Sequence, residues 1–183
     1  MRRLFGNIIS VLVTMLRQAW IKLILGKNFS THLIERISPN VVLDFGRKSQ
    51  VCLGDKIRIH SGTKIKARNG SRLTIGDNVK VNYNCMFIAH DQIEIGEGTE
   101  FGPSVFIYDH DHDYRAGLKN DKFLTKPVVI GKNCWIGANT VILRGTELGD
   151  NCVVGAGCVI KGNYPAGSVI VQKRETTVIR PEA

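Results

Sequence analysis

The sequence predicts an all-β domain, a parallel β-helix of stacked six-residue units, behind an N-terminal amphipathic helix. Three observations carry that prediction. Apolar residues recur at steps of six within four groups: Leu53, Ile59 and Ile65; Ile75, Val81 and Phe87; Ile95, Phe101 and Ile107; and Ile130, Ile136, Ile142, Leu148, Val154 and Ile160. Glycine follows the apolar residue at eight of these positions, from Gly54 to Gly155, so the excess of 19 glycines over 5 prolines is architectural. Four places after the apolar residue stands something small or β-branched, such as Thr63, Val79, Thr99, Val105 or Thr140. That position also holds Cys85, Cys134, Cys152 and Cys158, which reads them as compact interior residues rather than ligands or redox groups. So short a unit cannot bury its apolar face alone and must stack on its neighbours, and three six-residue sides per turn make a triangular coil.

Ahead of the coil, Asn7 to Leu25 places apolar residues in pairs at helical spacing: Ile8/Ile9, Val11/Leu12, Met15/Leu16, Ala19/Trp20 and Leu23/Ile24. Ser10, Thr14, Arg17 and Lys22 fill the remaining face, and Arg2, Arg3 and Lys27 flank the ends. Arg17 and Lys22 would be costly at depth in a bilayer, which disfavours spanning. Two readings of residues 7–25 stay open: peripheral contact with the membrane interface, with Trp20 at headgroup level, or packing against the main domain or a neighbouring subunit. Gly26 is expected to end the helix, and Ser30 to cap a short second one running to about Ile37 and stopped by Pro39. Residues 1–40 are thus read as a helical segment. Residues 41–183 are read as the coil, with an inserted loop at about 109–127 and a C-terminal tail.

A chain of 183 residues holds one such domain and an appendage. With 43% hydrophobic and 22% charged residues it is neither disordered nor a polytopic membrane protein. The net charge of +9 is unevenly placed: residues 1–80 hold 15 basic against 4 acidic side chains, and residues 81–183 hold 10 against 12. That asymmetry points to an anionic partner for the first half, or to a solvated basic face. No helix-turn-helix spacing, zinc-finger pattern or aromatic ribonucleoprotein signature is present, so nucleic acid is not expected. Five cysteines without a CxxC pair, and no leader with a small-residue cleavage site, argue for the reducing cytoplasm, with a peripheral place on the inner face of the membrane as the extension of the helix reading.

The coil is interrupted by four extra residues between Ile65 and Ile75, two between Phe87 and Ile95, and seventeen between Ile107 and Ile130. The longest insertion is where function is expected, because loops on a rigid scaffold commonly carry sites. It opens IYDHDHDYRAGLKNDKFLTKP, with His110 and His112 among Asp109, Asp111 and Asp113. An imidazole at i or i+2 can face a pocket while a carboxylate orients its neighbour. On residue types alone, a general base, a metal site and a solvated acidic turn all remain open.

The stretch NYNCMFIAHDQIEIGEGTEFGPSVFIYDHDH, together with the repeat over roughly 41–165, resembles the maltose and galactoside acetyltransferase branch of the hexapeptide-repeat acyltransferases. The resemblance implies a left-handed coil, an exception to the usual crossover hand. In that branch an Asn-aromatic-Asn run precedes a Pro-x-Val-x-Ile-Tyr strand, and the catalytic histidine comes five residues after the Ile. Counted from Ile107 this is His112, with His110 as the fallback. A Trp-Ile-Gly triplet follows about two dozen residues later, here Trp135-Ile136-Gly137.

The resemblance further implies acetyl coenzyme A as co-substrate and no metal. The implied reaction is direct transfer of acetyl to a sugar hydroxyl, and the basic first half with its amphipathic helix favours a sugar of a bacterial surface polysaccharide pathway as acceptor. His112 would accept the hydroxyl proton and the backbone N–H of Ala138 would hold the oxyanion. Asn84, Asp109, Asp111 and Trp135 would line the acceptor side. Trp135, Gly137, Ala138, Gly155, Ala156, Lys161 and Arg180 would line the coenzyme groove. A homotrimer is implied, with His112 facing the Trp135 region of a neighbour. Two departures stand out. Lys161 is displaced by one place from the relatives' coenzyme-contacting lysine, and Lys122 and Phe123 stand where relatives carry the Glu that holds the histidine, leaving that task to Asp109, Asp111 or Asp121. Other readings are a non-catalytic repeat scaffold, which needs neither His112 nor Trp135, and a γ-type carbonic anhydrase-like zinc enzyme. The latter requires a spaced histidine pair that His32, His60, His90, His110 and His112 do not form.

Overall fold

A computed structural model describes residues 2–32, 35–116, 122–173 and 175. From Phe29 onward the chain winds as a parallel β-solenoid of about six turns, laying one strand on each of three faces per turn. The first face begins with Phe29–Ser30, the second with Arg36–Ile37 and the third with Val42–Phe45, and they hold seven, seven and six strands. Like residues stack on like: Leu53 lies over Ile75, Ile75 over Ile95, Ile95 over Ile130 and Ile130 over Leu148.

The six-residue register is the core. All fifteen repeat residues are buried, and so are the small residues four places on. The interior threonines are satisfied across the stack: Thr63 donates to the Asn82 carbonyl at 3.1 Å and Thr99 to that of Gly131 at 2.8 Å. Corners close three places after the repeat residue in left-handed backbone, at Asn78, Asn84, Asn133, Asn139 and Asn151 among others. Asparagine tolerates that region better than most side chains. Glycine directly after the repeat residue has a different cause. A Cβ on Gly137 would stand 2.5 Å from the Ala156 amide nitrogen of the next turn, so the glycine is what lets the turns approach.

The N-terminal helix spans Arg2–Leu25. The expected second helix over Ser30–Ile37 does not form. Phe29–Ser30 pairs with Val51–Cys52 and Arg36–Ile37 with Arg58–Ile59, because Phe29 and Ile37 are needed inside the first turn, where both are fully buried. The long helix sits on the open end of the solenoid by its polar side. Thr14 and Gln18 are buried with Leu25, whereas Leu12, Leu16, Trp20 and Leu23 face outward. The reason lies in the unpaired strand edges of the first turn, which need hydrogen-bonding partners rather than apolar cover. The Thr14 hydroxyl donates to the Ile37 carbonyl at 2.9 Å, Arg17 Nη1 donates to that of Val41 at 2.7 Å, and Lys22 Nζ donates to that of Phe29. Gln18 donates to the buried carboxylate of Glu35, whose pKa is raised by burial.

Candidate active site

The long insertion leaves the coil after the third-face strand Phe106–Tyr108 and forms a short antiparallel hairpin, His110–His112 against Phe123–Thr125. Asp109 anchors it. Its side chain is fully enclosed, and its carboxylate accepts from the backbone N–H of His90 at 2.8 and 3.0 Å and of Asp91 at 2.7 Å. Asp109 Oδ1 also lies 3.1 Å from His110 Nδ1. A buried carboxylate that already receives backbone donors acts as acceptor, so His110 donates from Nδ1 in this contact and Nε2 is the ring nitrogen turned away from Asp109. The His110 ring stacks on His90 with centroids 3.6 Å apart and 14° between planes, and Phe123 closes the cluster edge-on. Burial, and secondarily the charge of His110, lowers the pKa of His90 to about 4, so His90 is neutral at physiological pH.

His112 lies at the outer end of the same strand, exposed, its ring tilted against Phe123 at 4.6 Å. Among the described residues none hydrogen-bonds to its ring nitrogens. Arg144, from the next turn, ties the hairpin down by donating to Asp111 at 2.5 Å. Of the three carboxylates expected to serve a histidine, Asp109 serves His110, Asp111 serves Arg144, and Asp121 lies outside the described residues, as does Arg180.

The expected site residues fall on two edges of the prism. Asp109, His110, Asp111, His112 and Lys161 lie where the third face turns into the first. Asn84, Gly137, Ala138, Gly155 and Ala156 lie where the second turns into the third, beside the half-exposed Trp135 of the second face. A whole face separates the two edges. From Asn139 to Arg144 it spans about 16 Å at strand rise, far beyond the contact distance of about 3–3.5 Å that reacting groups need. One copy of the chain therefore does not bring His112 to Ala138.

The second edge is chemically distinctive. At the first-to-second edge the amides of Asp55 and Lys132 donate to the carboxylates of Asp77 and Asp150 in the next turn, both at 2.7 Å. The next-turn residue over Ala138 is Ala156, a methyl, and that over Ala156 is Gln172, whose side chain bonds the backbone of Val159 instead, so among the described residues nothing accepts from either amide. The two N–H groups stand one turn apart, each behind a Gly-Ala pair that leaves its part of the edge open. Sequence reading missed His90, Phe123 and Arg144. The first was legible from turn length, since Ile88 lies under Tyr108 and hence His90 under His110. Among the described residues no three metal-ligating side chains gather about a point.

The model for the hexapeptide repeat of succinyl-transferase matches residues 127–161. Nodulation protein L of Rhizobium leguminosarum bv. viciae is 46% identical over 104 residues, 54% of this chain and 53% of that protein. The galactoside O-acetyltransferase of Escherichia coli is 34% identical over 101 residues, 55% of this chain and 50% of the enzyme. The N-acyltransferase AntD from Bacillus cereus, solved with dTDP and coenzyme A, shares the fold with a TM-score of 0.64 at 17% identity, over 86% of this chain and 89% of that one. The chain spans about half the length of the curated relatives it matches. In its repeat and its solenoid the chain is similar to these acyltransferases.

Proposed function

We propose that this protein is an acetyl-CoA-dependent O-acetyltransferase acting on a sugar hydroxyl, with His112 as general base in a site shared between copies of a homotrimer. The observation that carries the reading is the complementarity of the two edges: a histidine hairpin held rigidly on one, unclaimed backbone amides on the other. A hydroxyl is barely ionised at neutral pH, so neutral His112 accepts its proton as the oxygen attacks the thioester carbonyl, a contribution of about 10² to 10⁴-fold. The tetrahedral oxyanion is held by the Ala138 N–H of the adjacent copy, a donor of the kind whose loss costs about 10² to 10³-fold. Collapse expels the coenzyme A thiolate, which takes the proton from the His112 imidazolium. Ala156 and Gly155 leave room for the pantetheine arm, Trp135 walls the cleft, and Asn84 meets the acceptor. The excess positive charge of residues 1–80 favours an anionic or lipid-linked surface-polysaccharide acceptor over a free disaccharide. Its place is the cytoplasm, where acetyl-CoA is available and the five free thiols stay reduced.

A second reading makes His110 the base, because Asp109 holds its Nδ1 and so orients the ring. Calorimetric titration with acetyl-CoA, followed by thiol release with nucleotide sugars and oligosaccharides, separates them. His112→Ala is expected to bind coenzyme like the wild type and lose transfer. Retained transfer in His112→Ala with loss in His110→Ala moves the base to His110, and absence of coenzyme binding by the wild type overturns the proposal.

A further inference from the structure

The outward side of the N-terminal helix is an unbroken apolar surface. Ile8, Leu12, Leu16, Trp20, Leu23 and Ile24 are all exposed, Leu16 and Leu23 at 74% and 76%. A polar helix face turned to solvent would be ordinary; here the sides are reversed. The reversal is locked, because the hydrogen bonds of Thr14, Arg17, Gln18 and Lys22 to the first turn fix which side points out. They also remove the objection that two cations interrupt the segment, since Arg17 and Lys22 both reach back to carbonyls of the solenoid. The helix is 24 residues, about 36 Å at helical rise, and lies across the end of the coil rather than projecting from it.

Charge decides what covers this face. Residues 1–34 contain five basic side chains and no acidic one, and residues 1–80 carry a surplus of eleven positive charges. A second copy seated face to face would press two such surfaces together, whereas an anionic bilayer satisfies the apolar side and the charge at once. We infer that the helix Arg2–Leu25 lies in the plane of an anionic membrane surface, its Leu12, Leu16, Trp20 and Leu23 side in the acyl boundary, and stands the solenoid upright on the bilayer. Turns are about 4.8 Å apart, so the His110–His112 hairpin after the fourth turn sits about 15–20 Å above the first turn, and the helix beneath that turn adds about 10 Å. That height suits the sugar of a lipid-linked acceptor better than its lipid.

The test is flotation of the full chain with vesicles of phosphatidylcholine alone or with about one third phosphatidylglycerol, at low and high salt, alongside light scattering without lipid. At low salt, binding to the anionic vesicles is expected to exceed that to the neutral ones by at least about tenfold and to fall as salt rises. Leu16→Ser/Leu23→Ser is expected to abolish it without moving the thermal transition, as both side chains are outside the core. Trp20→Ser is an independent check at a third exposed position. Failure of the wild type to float with anionic vesicles overturns the inference, as does flotation of the double variant. So does an assembly in lipid-free solution that the double variant dissolves while vesicles bind nothing, which would make a second copy the occupant. None of these results depends on transfer activity, so this inference and the proposed reaction fail separately.

Discussion

Replacing Asp109 by asparagine keeps the side-chain shape and removes one acceptor oxygen at a place where both are used. One oxygen accepts from His90 N at 2.8 Å and lies 3.1 Å from His110 Nδ1; the other accepts from His90 N at 3.0 Å and Asp91 N at 2.7 Å. Whichever way the amide is placed, its NH₂ group faces a donor. The site is fully enclosed, so water cannot take over. One charge-assisted hydrogen bond lost and one buried donor left facing another amount to about 2 to 4 kcal/mol. For a chain of this size that is a fall in melting temperature of about 4 to 16 °C. Differential scanning calorimetry at pH 8, well above the titration of His90, reads it. If the amide nitrogen faces His110, the imidazole moves its proton to Nε2, and ¹⁵N chemical shifts of His110 report the exchange. A variant melting within about 2 °C of wild type would refute the view that Asp109 organises the hairpin.

His90 gives a pH signature. Its folded pKa of about 4 lies below the ordinary 6.5, so between those values the unfolded chain binds a proton that the folded one refuses. Its contribution to stability is therefore complete above about pH 6.5 and is lost as pH falls toward 4. The melting temperature should decline over that window, and His90→Phe, which keeps a ring over His110, should flatten the decline; an unchanged slope would deny the assignment. Gly137→Ala places a Cβ 2.5 Å from a backbone nitrogen of the next turn and is expected to destabilise by about 1 to 3 kcal/mol in urea unfolding, against no change if the turns can part. Arg144→Gln removes a partly exposed ion pair, so stability should shift by less than about 1 kcal/mol, while a loosened hairpin should lower kcat/KM roughly tenfold. Equal activity would show that the Arg144–Asp111 contact does not position the site.

The core was legible in the sequence because stacking makes the period a physical necessity: Leu53, Ile59 and the rest of the series lie inside as their spacing requires. Phe29 and Ile37 escaped it, since eight residues separate them and Ser30 and Pro39 imitate the start and stop of a helix. Periodicity found the stripe on the N-terminal helix but not its sense. Which side turns inward depends on the carbonyls at the end of the coil, a tertiary demand no local pattern carries. The histidine loop was found by composition, yet its support comes from His90 one turn below and Arg144 one turn above. The distinction between Gly-Ala at 155 and Gly-Asp at 76 and 149 was also present in the sequence. Its meaning appears only in the stacked turns, where the acidic side chains take an amide of the turn before and Ala156 leaves that of Ala138 open.

In the proposed site the histidine edge of one copy works with the amide edge of another. Co-refolding His112→Ala chains with Ala156→Phe chains puts this to the test. The exposed Ala156 position should tolerate the larger ring while the groove is blocked, and each variant alone should be inactive in thiol release. Random mixing into closed cyclic assemblies leaves about one quarter of the sites with both edges intact, so about a quarter of wild-type activity is expected to return. No recovery from a mixture shown by light scattering to have exchanged subunits would contradict the shared site.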